Sequence, residues 1–294
     1  MKVLVTGREG QVARCLAAQA ADQRDLEMIF TARPDLDLAR PETIAPLIRA
    51  VRPDVVVSAA AYTAVDQAED EPELAFAVNG AGAGEVAKAA ASVGAPVIHL
   101  STDYVFDGTL DRPYREDDPT GPQGVYGASK LAGERAIAEA SPNHVIMRTA
   151  WVYSPFGKNF VKTMLRLAET RDEVSVVADQ WGNPTSASDI AEAVLVAARR
   201  LINGDIDAWG ICHFAGEGKA SWADLAEEIF KISSRHGGPG ASVRRIESSN
   251  YPTKARRPTN SQLDSGRFRR VFAYAPRCWR ASVLSTVERL VQRT

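Results

Sequence analysis

Lys2-Val3-Leu4-Val5-Thr6-Gly7-Arg8-Glu9-Gly10-Gln11-Val12-Ala13 is the stretch whose reading decides the fold. Its first four residues form a short, β-branched apolar run, the pattern of a strand covered on both faces. The run ends at Thr6-Gly7, and an Ala-rich helical segment follows from Gln11 to about Ala21. The glycines between them follow G-x-x-G-x-x-A, not the stricter G-x-G-x-x-G of dinucleotide-binding turns. The physics still holds. Gly7 permits the tight turn, Gly10 lets a pyrophosphate approach the backbone, and Ala13 allows close helix packing. The free N–H groups at the helix start then face the phosphates. Gly7, Gly10, Gln11 and Val12 are the cofactor-binding candidates of this turn.

Outward from this unit, strand and helix alternate. Leu26–Phe30, Asp54–Ser58 and Val97–Leu100 read as strands, and Pro41–Val51 and Glu73–Val93 as helices. Five such alternations up to about residue 150 predict an α/β fold, a Rossmann-type doubly wound parallel sheet with right-handed crossovers. The pattern weakens afterwards. Val174–Val177 and Gly210–Phe214 are isolated strand candidates, Ser188–Leu201 is a helix returning to the first sheet, and 234–257 reads as loop. The expected organisation is a dinucleotide-binding domain of 1–150 plus about 186–214. A smaller α/β substrate lobe takes about 151–185 plus 215–294.

Composition narrows the function classes. The net charge of -2 gives no general case for nucleic acid or an anionic membrane. No run of about 20 apolar residues is present to span a bilayer. The N-terminal segment lacks the apolar run of a signal peptide. Cys15, Cys212 and Cys278 are widely spaced, which argues against a disulfide framework or zinc knuckle and for reduced thiols in a cytoplasm. His99, His144, His213 and His236 have no metal-ligand spacing and read as structural.

Tyr126-Gly127-Ala128-Ser129-Lys130 precedes a helical run, so Tyr126 and Lys130 share one face at i and i+4. An ammonium beside a phenol favours the phenolate, which predicts a Tyr126 pKa lowered toward neutrality, suited to proton transfer. Thr102 follows the fourth strand, and ligands of doubly wound sheets lie beyond strand carboxyl ends. Its hydroxyl is therefore placed to bond a substrate oxygen. Thr102, Tyr126 and Lys130 are the expected catalytic set. Beyond the second strand, Arg33 suits a 2′-phosphate, whereas Asp35 and Asp37 suit free ribose hydroxyls.

These motifs resemble those of the extended short-chain dehydrogenases/reductases, and the likeness runs nearly end to end. It is carried by Val3–Val12, Arg52–Val57, Ala59–Asp66, Ser101–Gly108 and Tyr126–Glu134. It continues through Arg148–Tyr153, Asn159-Phe160, Asp179–Thr185, Arg257-Pro258 and Asn260-Ser261. The S-T-D-Y-V-F-D-G and R-T-x-W-V-Y runs are similar to the branch that reduces a 4-keto sugar nucleotide. The resemblance implies NAD(P)H-dependent reduction at C4 of dTDP-4-dehydro-6-deoxy-L-mannose, giving dTDP-L-rhamnose, with NADPH as cofactor and NADH as the alternative. It adds Asp37, Leu38, Ala59, Ala60, Ala61 and Thr63, with Tyr126 and Lys130, to the cofactor contacts. It assigns Val65, Thr102, Tyr104, Trp151, Asn159 and Arg257 to the substrate, Arg257 on the pyrophosphate. Two other readings share the scaffold: another sugar-nucleotide reductase or epimerase, and a non-catalytic regulatory subunit of the methionine adenosyltransferase type. The intact Thr102, Tyr126 and Lys130 set speaks against the second.

The chain departs from this pattern in places. Ala13 replaces a glycine, and Ser58 stands where the family often has asparagine. Some relatives join two subunits through magnesium, held partly by a glutamate at the position of Cys15. Magnesium wants hard oxygen ligands, which a thiol does not supply. Only Asp189 and Glu192 remain on the later helix. The expectation is no metal and a monomer, with a metal-free homodimer as the alternative.

Overall fold

The structure, a computed structural model, describes residues 1–204 and 208–292. The first half runs β1 (Lys2–Thr6), α1 (Gln11–Ala20), β2 (Glu27–Thr31), α2 (Ile44–Val51), β3 (Val55–Ser58), α3 (Val65–Ala68), α4 (Pro72–Phe76), α5 (Ala83–Ala91), β4 (Val97–Thr102), α6 (Val125–Ala140) and β5 (His144–Thr149). The second runs β6 (Val152–Tyr153), α7 (Phe160–Ala168), β7 (Glu173–Val177), β8 (Trp181–Gly182), β9 (Thr185–Ser186), α8 (Ala187–Ile202), β10 (Gly210–His213), β11 (Ala220–Ser221), α9 (Trp222–Arg235), β12 (Ser242–Ile246), α10 (Gly266–Phe272) and α11 (Trp279–Val291).

The expected parallel sheet is present. Its order is β10-β5-β4-β3-β1-β2, and every pair is parallel. Alternation along each strand explains its two covered faces. In β1, Val3 and Val5 face a core completed by Leu16 of α1 and Ile190 and Val194 of α8. Leu4 faces the opposite core with Ile44 and Ile48 of α2 and Val86 of α5. The strand order reverses direction between β1 and β3, which opens a crevice beyond their carboxyl ends. Both the glycine turn and the Ala59–Ala61 loop emerge there.

The single helix expected over Glu73–Val93 is interrupted. A π segment at Ala77–Gly82 separates α4 from α5. The interruption has local causes. A Cβ on Gly82 would lie 2.4 Å from the Leu38 carbonyl oxygen. The Asn79 side chain turns inward to bond the backbone of Tyr62 and the Ser129 hydroxyl. Such bulges recur at functional sites.

A second cluster is built from Tyr153, Val161 and Met164, Val174 and Val176 of β7, Leu225 and Ile229 of α9, and Trp279 and Val283 of α11. The loop expected over 234–257 needs correcting, because β12 lies inside it and pairs in parallel with β7. Arg244 and Arg245 hid this strand. Both are exposed on a two-stranded edge, where they pair with Glu173 and with Asp224 and Glu227. Phe268 and Phe272 of α10 pack into the α8-side core of the large sheet, although they lie in the 215–294 segment expected to form the substrate lobe.

The seat of α6 is the tightest helix contact near the site. A Cβ on Gly133 would lie 2.0 Å from the Asn79 carbonyl oxygen, which belongs to backbone. Gly133→Ala is therefore expected to destabilise the fold by about 1–3 kcal/mol through forced backbone displacement. Urea denaturation checks this, and an unchanged midpoint would show that α6 can move away at no cost.

Candidate active site

The glycine turn is built to take an anion. Gly7 has φ +85°, and a Cβ there would lie 2.9 Å from Ala60 Cα. Gly10 begins α1 in extended conformation without a side-chain cap, so the first N–H groups of a ten-residue helix receive no capping side chain. The Thr6 hydroxyl accepts from the amides of Ala59 and Ala60, each at 3.0 Å, and so fixes the loop after β3 against the turn after β1. Asn79, missed in the sequence, clamps the same loop at Tyr62. An uncapped helix start beside a glycine crevice fits a dinucleotide's phosphates.

Other cofactor candidates are placed variously. Arg33 is exposed and makes no ion pair among the described residues. Arg8 is exposed and pairs with Glu9 at 3.4 Å. The Asp37 carboxylate accepts from Ala39 N–H, and Leu38 is buried in the core with Ile44 and Val86. Ala61 is half-buried and Thr63 exposed. The Gln11 side chain is committed to protein: its Oε1 accepts from the Ser154 hydroxyl (2.8 Å) and the Asn159 amide (3.0 Å).

Thr102 ends β4, and Tyr126 lies in the first turn of α6. The Thr102 hydroxyl lies close enough to the Tyr126 phenol to bear on its titration. Gly127 explains how α6 comes so near, since a Cβ there would lie 2.1 Å from the Tyr104 carbonyl oxygen. The Tyr104 ring meets Tyr126 edge-on, with centroids 5.5 Å apart. The Thr102 hydroxyl donates to Asp103 Oδ1 (2.9 Å) and accepts from Tyr104 N–H (3.2 Å). Asp103 was not singled out by the sequence. Burial pushes its carboxyl up to about 7 against the hydrogen bonds of Thr102 and Ser261.

The expected lowering of the Tyr126 pKa is corrected. Burial pushes the phenol up to about 12, the Thr102 hydrogen bond opposes this, and the Asp103 charge adds to it. Desolvation of a phenolate outweighs the lysine here because Lys130 is engaged elsewhere. Its ammonium donates to the Leu100 carbonyl (2.7 Å) and meets His99 Nε2 at 2.9 Å. Burial lowers Lys130 to about 8, opposed by the Glu134 carboxylate. Glu134 is itself held by Arg148 (2.7 Å) and accepts from the Ser101 hydroxyl (2.5 Å).

Trp151 is held in a left-handed conformation, φ +48°. Its indole N–H donates to Ser261 Oγ (3.0 Å), and it stacks on Trp222 at 3.5 Å with planes 4° apart. Trp222 was missed because its place beside Trp151 exists only after α9 packs. Gly182 makes room, since a Cβ there would meet the Trp151 ring at 2.4 Å. Asn159 spends its side chain on structure, capping α7 and donating to Ser154 O, Phe156 O and Gln11. Val65 begins α3, half-buried. Arg257 is paired with Asp66 at 2.9 Å, and its buried Nε has no hydrogen-bond partner among the described residues.

No group of three or more His, Cys, Asp or Glu among the described residues is arranged to hold a metal ion. Cys15 is buried, and that burial pushes its thiol up to about 11. Asp189 accepts from Ser282 (2.5 Å), and Glu192 is engaged by Tyr274 and Arg277. No helix among the described residues is long and apolar enough to cross a membrane.

The chain is similar to known proteins over nearly its whole length. A dTDP-4-dehydrorhamnose reductase of Sinorhizobium fredii is 52% identical over 283 residues, covering 96% of this chain and 95% of that one. A solved dTDP-4-dehydrorhamnose reductase from Clostridium acetobutylicum superposes with TM-score 0.92 at 37% identity, covering 99% of both chains. One from Bacillus anthracis, in complex with NADP, gives TM-score 0.90 at 33% identity, covering 100% of this chain and 99% of that one. The family model described as the RmlD substrate binding domain matches residues 1–292, and the chain belongs to that family.

Proposed function

We propose that this chain reduces the C4 keto group of dTDP-4-dehydro-6-deoxy-L-mannose with NADPH, giving dTDP-L-rhamnose. The observation that carries the reading is buried Lys130, bonded to the end of β4 one turn beyond Tyr126 on α6, in a chain whose glycine turn opens an uncapped helix start. NADPH, when bound, supplies the hydride that adds to C4. Tyr126 gives its phenolic proton to the oxygen on which negative charge develops. A phenol held at about 12 remains fully protonated at neutral pH, which suits a proton donor. Thr102 offers its hydroxyl to the same oxygen by turning its proton away from Asp103. Charge grows there only as reduction proceeds, so both donors act mainly on the transition state. Lys130 stabilises the phenolate that remains and would hold the nicotinamide ribose of bound cofactor.

Trp151, on its Trp222 platform, Tyr104 and Val65 are assigned to the sugar and base. Asn159 is assigned the role of holding the substrate lobe to Gln11 rather than touching sugar. Arg257 is the group for the diphosphate, which would compete with Asp66 for it. The enzyme is read as a cytoplasmic, metal-free monomer.

Tyr126→Phe is expected to lower turnover of the 4-keto sugar nucleotide by about two to four orders of magnitude. NADPH affinity should stay near that of the parent. Near-parental turnover would refute the mechanism. The preference for NADPH over NADH is expected to shrink about tenfold or more in Arg33→Ala, through loss of a guanidinium–phosphate pair. Equal loss of kcat/KM with both cofactors would mean that Arg33 acts elsewhere. Sedimentation and turnover are expected to be the same in magnesium and in chelator. A dimer that dissociates on chelation, with activity falling alongside, would overturn the metal-free reading.

A further inference from the structure

Below the reaction centre, three buried side chains form a line from β3 through β4 to α6. Ser58, His99 and Lys130 are all at most 2% exposed. Ser58 Oγ lies 3.0 Å from His99 Nδ1, and His99 Nε2 lies 2.9 Å from Lys130 Nζ. Among the described residues, the lysine's other partner is the Leu100 carbonyl. An ammonium has three donors and no acceptor. When Lys130 is charged, His99 Nε2 must therefore be the unprotonated nitrogen, and the ring proton must sit on Nδ1, donated to Ser58. A doubly protonated ring would set two cations 2.9 Å apart in a dry interior. Burial and Lys130 both hold His99 well below its ordinary value, so the ring stays neutral.

We propose that His99 is a positioning residue of this reductase. Its neutral imidazole, locked in one tautomer by Ser58, and the Leu100 carbonyl together fix the Lys130 ammonium, leaving one N–H to point toward cofactor and Tyr126. The inference rests on the reductase reading for its kinetic consequence, but the tautomer stands on the packing alone. Without a second acceptor the ammonium rotates or loses its proton more readily, because hydrogen bonds to a buried charge favour the charged form. Among the described residues, the charged group that bears on Lys130 is Glu134. Glu134 faces it from its own helix and is already paired with Arg148. His99 on β4 brings no charge, and Ser58 on β3 brings none either.

The tautomer is read by nitrogen NMR of the whole protein labelled in its histidines, at pH 6.5, with the His99 signals identified by their absence in His99→Gln. The expected result is a ring protonated at Nδ1 only. Protonation at Nε2, or an imidazolium, overturns the proposal regardless of whether the sugar nucleotide is turned over. Kinetically, His99→Phe is expected to lower kcat about 10- to 100-fold, the scale of one hydrogen bond to a charge. The basic limb of its pH profile should move down by about one unit. His99→Gln, which keeps an acceptor for lysine and a donor for Ser58, should restore most of kcat and return the limb. A parental kcat and pH profile in His99→Phe, or no recovery in a folded His99→Gln, would overturn it. If the parent itself fails to reduce the substrate, the function falls, and the NMR result still decides the tautomer.

Discussion

The close approach of α6 to the end of β4 is the constraint on which the site depends. Two glycines permit it, Gly127 against the Tyr104 carbonyl and Gly133 against the Asn79 carbonyl. At that distance Lys130 reaches a backbone oxygen of β4, and the Thr102 hydroxyl comes near enough to bear on the Tyr126 phenol. A helix one methyl group further out would leave the lysine's charge buried without partners, at a cost of several kcal/mol. The packing and the chemistry are therefore one arrangement. The same contact that seats the helix also fixes the proton donor.

Burial on this scale shapes the electrostatics. Around α6 the interior holds Lys130, Glu134, Arg148, Asp103 and His99, each at most 3% exposed. Glu134 and Arg148 form a two-bond pair, and Ser101 contributes a third hydrogen bond to the carboxylate. Removing one partner of such a pair typically costs 3–5 kcal/mol, because the other charge is left unsatisfied. Desolvation sets the direction of the shifts at Asp103 and Tyr126, which it raises, and at Lys130 and His99, which it lowers. Charges nearby modify these shifts without reversing them.

The cluster around β7, α9 and α11 is linked to the large sheet across the crevice by polar contacts. Gln11 of the glycine turn bonds Ser154 and Asn159, while Arg257 and Lys254 pair with Asp66 and Asp70. Phe268 and Phe272 return the chain to the α8-side core of the large sheet. The arrangement places Trp151, strained in backbone and stacked on Trp222, at the carboxyl edge of the sheet. Strain of this kind persists where surrounding contacts determine it more than once, as the stack, the Ser261 bond and Gly182 do here.

The sequence by itself determined the first four strands of the sheet, the glycine turn, and the i, i+4 placement of Tyr126 and Lys130, because these follow from local periodicity and fixed spacings; β5 went unread, and β10, read as an isolated strand, is the sheet's edge beside β5. A strand reads from alternation, a turn from its glycines, and an i, i+4 pair from the helical repeat. It did not reveal β12, whose arginines mask a short edge strand, or the π segment, which answers to Leu38 and Asn79 rather than to its own composition. Nor did it give the Tyr126 shift. A spacing says that lysine and tyrosine share a helix face, but only the tertiary structure decides what else each touches and how much water remains. His99 shows this most plainly. In sequence it is one histidine in an apolar strand, and the distance to Lys130, 31 positions away, exists only once α6 has closed on β4.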